Sequence, residues 1–251
     1  MKLKGRITDL ELDHRPETIR SRLDRQRKHS YLGDGILGAI DGTVTTFAVV
    51  AGAMGAGFSS VVVIVLGFAN LLADGFSMAV SNYLGTKSQR QQVAQTRRWE
   101  ERHIEQVPAG EREEIAQIFA RKGFTGDVLD RIVETITADR RLWVDTMLTE
   151  EHGLQIHGPS PVRAGLATFM SFLLIGLIPL VPFLLPGLSP DQRFLASSIA
   201  TGLSFLSVGV AKGAVLEQGL ARSGLETLLT GGIAALLAYL VGGWLRQTFG
   251  A

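Results

Sequence analysis

Apolar and polar positions are segregated along this chain into blocks. Residues 31–85 and 162–247 hold little charge, whereas residues 1–30 and 86–161 hold most of it. A helix needs about 20 apolar residues to cross a bilayer core. Five stretches meet that length: Tyr31–Gly57, Ser59–Gly85, Ala164–Leu185, Arg193–Val215 and Leu225–Trp244. Gly55-Ala56-Gly57 predicts a tight hairpin between the first two, and Pro186 and Pro190 mark the turn between the third and fourth. The expected fold is all-α, a polytopic membrane protein with five transmembrane helices. A helical domain is inserted between helices 2 and 3.

Within residues 86–161 the apolar positions are sparser and follow helical spacing. Residues 86–107 read as a polar helix carrying Val93, Trp99 and Ile104, broken at Pro108-Ala109-Gly110. Residues 111–122 place Ile115, Ile118 and Phe119 on one face, and Gly123 and Gly126 bracket a turn. Residues 127–152 read as one further helix through Leu129, Ile132, Val133, Ile136, Trp143, Met147 and Leu148. The expected organisation is an N-terminal segment (1–30), helices 1–2 (31–85), a helical domain (86–161) and helices 3–5 (162–251). Residues 1–30 show no apolar stretch with a cleavage site, so no cleaved leader is expected. Around Pro16–Lys28 they read either as an amphipathic helix at the lipid interface or as a disordered tail.

Charge sets the expected orientation. Residues 1–30 carry nine Lys and Arg, residues 86–163 carry twelve, and the loop between the first two spans carries none. The positive-inside rule then puts the N-terminus and the middle domain in the cytosol and the C-terminus outside. The formal net charge of +1 gives no sign of a nucleic-acid partner. The chain has no cysteine, which excludes disulfides, thiolate zinc sites and iron–sulfur ligation. Any metal chemistry falls to carboxylates, histidines, methionines and carbonyls.

Ionisable groups inside the spans are the sharpest chemical signal. Asp34 and Asp41 lie seven apart on one face of the first span, and Asn70, Asp74 and Met78 lie four apart on one face of the second. A carboxylate at the centre of a bilayer costs at least ~2.5–3.5 kcal/mol, so these groups call for a cation. Asp34 and Asp74, read as lying near helix ends, can also be capping or contacting water. Oxygen donors with a thioether suit Fe²⁺ or Mn²⁺ better than K⁺. Gly38 and Gly42 in the first span, and Gly209 and Gly213 in the fourth, form small-xxx-small pairs that permit close helix approach or dimer contact.

A second cluster lies in the polar block: Glu100, Glu101, His103 and Glu105, then Glu111, Glu113 and Glu114, then Glu150, Glu151 and His152 just after Met147. Pairs at i, i+3 such as Glu100 with His103, or Glu111 with Glu114, can hold one ion from one helical face. Such charge runs are also ordinary solvated surface. Glu100-x-x-His103 is half of a di-iron carboxylate motif, and no second copy occurs in the chain. An oxidase is therefore not expected, and neither is any other enzyme.

The stretches Asp34-Gly35-Ile36, Asp41-Gly42, Thr46-Phe47-Ala48-Val49-Val50-Ala51-Gly52 and Gly67-Phe68-Ala69-Asn70-Leu71-Leu72-Ala73-Asp74-Gly75-Phe76-Ser77-Met78 resemble the vacuolar iron transporter family. Weaker likeness runs through Trp143, Met147, Glu151-His152-Gly153-Leu154, Lys212 and Gly231. The resemblance implies a homodimer that moves Fe²⁺, Mn²⁺ or other divalent ions (Zn²⁺ and Co²⁺ among them) out of the cytosol in exchange for protons, with no prosthetic group. It implies intramembrane ligands at Asp41 and Met78, and cytosolic ligands at Glu100, Glu111, Glu114, Met147 and Glu151. This sequence departs from the pattern at His103, where the family has glutamate, and at Leu148, where it has a second methionine. Glu105 or Glu101 is positioned to compensate. The compact loops suit a bacterial inner membrane, with a vacuolar or other organelle membrane as the alternative. An uncoupled metal pore and a membrane-anchored metal sensor or store are the rival functions.

Overall fold

The structure, a computed structural model, describes residue 12, residues 14–25 and residues 29–249. Among the described residues all regular structure is helical. A short helix α1 (Pro16–Arg25) precedes α2 (Leu32–Gly55) and the long α3 (Ser60–Gln106). Then come α4 (Pro108–Arg121), α5 (Gly126–Ala138), α6 (Arg140–Thr146) and a π-helical turn at Met147–Glu151. The chain continues through α7 (Pro161–Gly176), a 3₁₀ turn (Ile178–Leu180), α8 (Val181–Leu184), α9 (Pro190–Val215) and α10 (Leu220–Phe249). Of the expected Pro16–Lys28 helix, Pro16–Arg25 is helical and residues 26–28 lie outside the described set.

Among the described residues, five segments are long and apolar enough to cross a membrane: Leu32–Gly55, Ser60–Gln106, Pro161–Leu184, Pro190–Val215 and Leu220–Phe249. Their outward faces carry large apolar side chains. Phe76, Leu203 and Leu237 are each about 60% exposed, with Val65, Leu195, Ile199 and Ile233 alongside. Apolar faces of this extent are incompatible with water as the surrounding solvent and match a lipid one.

The chain divides into two compact units, Tyr31–Gly85 with Ser160–Ala251, and Thr86–Pro159 with the N-terminal segment. In the first, α2 packs against α7, α10 and α9. Lipid supplies no hydrophobic drive between helices, so close backbone approach has to supply the contact. A Cβ at Gly42 would lie 2.6 Å from the Phe172 carbonyl oxygen and 3.0 Å from its Cα, and one at Gly176 would meet the Gly42 carbonyl at 2.8 Å. Gly42→Ala is therefore expected to force α2 and α7 apart and cost roughly 1–3 kcal/mol, as overpacking does elsewhere. Thermal unfolding in detergent would show it. Gly232→Ala, where a Cβ meets nothing within 4 Å, should leave the melting temperature unchanged or raise it.

The third span is less regular than its apolar run predicts. Pro179 and Pro182 withdraw two backbone donors, so α7 stops at Gly176 and gives way to the 3₁₀ turn and α8. The buried Ser197 Oγ donates to the Pro179 carbonyl at 2.6 Å and ties this turn to α9. Ser189 opens α9 with a capping box shared with Gln192, and Pro190 is its first helical residue.

In the second unit, Ile104, Ile115, Val133, Ile136, Trp143, Val144, Met147 and Leu148 form one apolar core. Two sequence expectations are corrected here. The break expected at 108–110 does occur but falls at Val107: α3 ends at Gln106 and Pro108 already begins α4, because the first helical position needs no N–H donor. The expected helix 127–152 is interrupted at Asp139, whose backbone is extended and whose carboxylate accepts from Arg141 N at 2.9 Å and Leu142 N at 3.2 Å. A side-chain cap outweighs continued helical periodicity at this point. Asp139→Ala should lower the stability of this unit by about 1 kcal/mol, measurable as a fall in its denaturation midpoint.

Candidate metal-ion sites

In the membrane-length helices, the expected residues form two tiers. Asp41 and Asp74 are both half-buried, and Asp74 lies within electrostatic range of Asp41. Thr45 Oγ1 donates to the Asp41 carbonyl at 2.9 Å, and Asn70 Nδ2 reaches Thr45 Oγ1 at 3.5 Å. Asn70 therefore joins Asp41's helix through a threonine rather than directly. Met78, also half-buried, follows Asp74 by one turn on α3. Asp34 forms a separate tier. Its Oδ1 accepts from Asn82 Nδ2 at 2.8 Å, and the same amide donates to Thr168 Oγ1 at 2.7 Å. Asn82 extends the four-residue ladder of Asn70, Asp74 and Met78 by one further step, a spacing that would have flagged it in the sequence.

The other cluster is built by three elements. The shaft of α3 presents Glu100 and His103 one turn apart, the first turn of α4 presents Glu111, and Glu114 follows a turn later. The π turn Met147–Glu151 brings in Glu151 and His152, and the chain then reverses at Gly153, whose φ is +62°. Leu154 N closes this turn on the Leu148 carbonyl at 2.9 Å. π turns recur at functional sites because they re-aim side chains within a helix.

Glu100 is 1% exposed and Glu111 4% exposed. Glu100 Oε1 lies 2.7 Å from His152 Nε2, and Glu111 Oε1 lies 3.3 Å from His103 Nδ1. The remaining oxygen of each carboxylate, Glu100 Oε2 and Glu111 Oε2, is buried without a hydrogen-bond partner. Donor atoms of Glu100, Glu151 and His152 lie within 4.8 Å of one another. The Trp99 ring stacks obliquely on His103 at 3.9 Å and meets His152 edge-on at 5.9 Å, restricting both imidazoles. The nearby basic side chains of Arg97, Lys122 and Arg140 are engaged by Asp145, Glu150 and Glu105.

Burial, then repulsion from Glu100 and Glu114, pushes the Glu111 carboxyl up to about 7. Burial also raises Glu151, with Glu114 and Glu100 adding to the effect and His152 opposing it. Burying carboxylates together is costly unless a positive charge compensates. A divalent cation would satisfy the orphaned oxygens and relieve the repulsion at once. Ion binding here should then weaken as pH falls through about 7, because below that value Glu111 holds a proton that the ion must displace. The expected loss is about tenfold in affinity per pH unit once that proton must leave. Isothermal titration from pH 8 to 6 measures it, and a flat profile would contradict it.

Of the sequence-predicted ligands, Glu100 and Glu151 bring donor atoms together with His152, Glu111 pairs with His103, and Glu114 is exposed one turn beyond Glu111. Met147 is fully buried in the apolar core of the same unit. Glu105 lies apart, paired with Arg140. His152 was visible in the sequence only as a neighbour of Glu151, and the fold places it at the centre.

These features define a polytopic helical membrane protein with carboxylates inside its spans and a carboxylate–histidine cluster in a separate helical unit. Residues 32–243 match the model of the VIT family, and the chain belongs to that family. It is 33% identical over 151 residues to a vacuolar iron transporter of Toxoplasma gondii, covering 59% of this chain and 50% of that one. It is 31% identical over 147 residues to one of Plasmodium falciparum, with 57% and 54% covered. Against vacuolar iron transporter 1 of Arabidopsis thaliana it is 32% identical over 183 residues, with 70% and 71% covered. The chain thus spans about half the length of the two parasite relatives.

Proposed function

We propose that this protein transports Fe²⁺ and/or Mn²⁺ out of the cytosol in exchange for protons. The observation that carries the reading is the presence of two half-buried carboxylates, Asp41 and Asp74, inside helices of membrane length. Two carboxylates at that depth are tolerable only with a positive partner, and a passing divalent ion supplies one. The names of the relatives support iron as a substrate.

Asp34, Asp41, Asn70, Asp74 and Met78 line the path in this reading. Asp41 and Asp74 are only half-buried in one chain, so a second copy facing them would enclose the route, making the working form a homodimer in a lipid bilayer. Glu100, His103, Glu111, Glu114 and Glu151, with Met147 behind them, collect ions on the cytosolic side. The N-terminus is cytosolic and the C-terminus lies outside, in accord with the distribution of Lys and Arg. The membrane is either a bacterial inner membrane or an organelle membrane, and the names of the relatives favour the second. Each ion bound to a carboxylate displaces protons, which gives a physical route to exchange.

Proteoliposomes loaded with a dye quenched by Fe²⁺ or Mn²⁺ test this directly. Uptake driven by an imposed proton gradient is the expected result. Flux indifferent to the gradient would replace exchange with a pore, and tight binding without flux would replace transport with sensing or storage.

A further inference from the structure

The residue at position 152 is an imidazole whose Nε2 lies 2.7 Å from the fully buried Glu100 Oε1 and 3.6 Å from Glu151 Oε2. We propose that His152 is a direct nitrogen ligand that, with Glu100 and Glu151, makes one seat selective for Zn²⁺ and Co²⁺ over Mn²⁺. The proposal rests on reading the cluster as a cation site and assigns that site's preference.

Geometry supports a common ion. Bonds of about 2.0–2.1 Å in a tetrahedral site place neighbouring donor atoms roughly 3.4 Å apart. The three donor atoms already lie within 4.8 Å of one another, and the Glu151–His152 edge is near that value. The shorter Glu100–His152 contact is a hydrogen bond, and an ion replaces its shared proton while opening that edge by less than about 1 Å. Glu100 Oε2 stands ready beside it, buried and without a partner. His152 remains a quarter exposed, which leaves an entry side. Trp99, edge-on to the ring, limits its rotation, so little ordering is left for binding to impose.

The chemistry then favours particular ions. Imidazole nitrogen suits Zn²⁺, Co²⁺ and Fe²⁺, whereas an all-oxygen set suits Mn²⁺ and Mg²⁺, and affinity at mixed nitrogen–oxygen sites rises from Mn²⁺ through Fe²⁺ to Co²⁺. His152→Leu would leave an oxygen-only seat. His152→Asp would keep the donor count but exchange a neutral nitrogen for a harder, negatively charged oxygen on a shorter side chain.

The test uses the full chain in nanodiscs. Co²⁺ binding is read from its visible absorption, Zn²⁺ by displacement of Co²⁺, and Mn²⁺ by loss of its free-ion paramagnetic resonance signal. Wild type should bind Co²⁺ and Zn²⁺ at least about 100-fold more tightly than Mn²⁺. His152→Leu should weaken Co²⁺ and Zn²⁺ by about tenfold or more, alter the Co²⁺ spectrum, and change Mn²⁺ by less than about threefold. His152→Asp should hold Mn²⁺ at least as well as wild type without regaining the Co²⁺ preference. Unchanged Co²⁺ and Zn²⁺ affinity in both variants, or an equal loss for all three ions, would overturn the role of His152. Wild-type protein that binds none of the ions would instead overturn the reading of the cluster as a cation site.

Discussion

Asp41→Ala is expected to abolish proton-driven metal uptake in proteoliposomes, lowering the rate by roughly 100-fold or more, while ion binding at the Glu100 cluster stays as in wild type. The argument starts from position. Asp41 lies on α2 between Gly38 and Gly42, whose faces are locked against α7, so its helix cannot rotate freely to lend another residue. The neighbouring polar side chains Thr45 and Asn70 carry no charge. Removing Asp41 leaves Asp74 alone to offset the cost of dehydrating a divalent ion, which amounts to losing one of the few strong donors in the path. Asp41→Asn sharpens the test, since it keeps shape and removes only charge and the exchangeable proton. Full flux in both variants would remove Asp41 from the pathway. Flux retained in Asp41→Asn but independent of the proton gradient would leave Asp41 as the coupling group alone.

Glu100→Gln should have two effects of opposite sign. Glu100 is the most deeply buried carboxylate of the cluster, in contact with His152 and within repulsive range of Glu111 and Glu151. The amide keeps its volume, removes the buried charge and lowers the repulsion on Glu111. In metal-free protein the helical unit should therefore melt no lower than wild type, because relief of the repulsion among buried carboxylates offsets the weakened contact with His152. With Zn²⁺ or Co²⁺ present the order should reverse, because affinity falls by about 100-fold and with it the stabilisation by bound ligand. Differential scanning fluorimetry with and without metal reads both effects. A variant less stable without metal and unaltered in affinity would make Glu100 a structural residue.

Much of this molecule was legible along the chain. The five spans follow from run length alone, because a bilayer sets a minimum of apolar residues that is counted without knowing any neighbour. The candidate carboxylates in the spans were legible for the same reason: a charge in an apolar run is conspicuous in one dimension. The resemblance to the VIT family was legible in local words, Asp41-Gly42 and Asn70 to Met78, and the family match extends over residues 32–243.

Partners were not legible. Asp34 meets Asn82, 48 residues away, and Asn82 meets Thr168, 86 residues away. Glu100 meets His152 across 52 residues, while Glu105, five residues on and therefore on a different face of the helix, is turned instead to Arg140. The break at Asp139 and the irregular third span were missed because caps and proline geometry compete with periodicity on margins of about 1–3 kcal/mol. Burial by a single helix is a property of its own pattern. The pairing of donors depends on how helices cross, and that was set by where glycines let backbones touch and where a π turn re-aimed Glu151 and His152. The sequence by itself thus determined which groups must be compensated by charge, and the tertiary structure decided which of them lie close enough to share an ion, because coordination is a matter of a few ångströms that no spacing along the chain can supply.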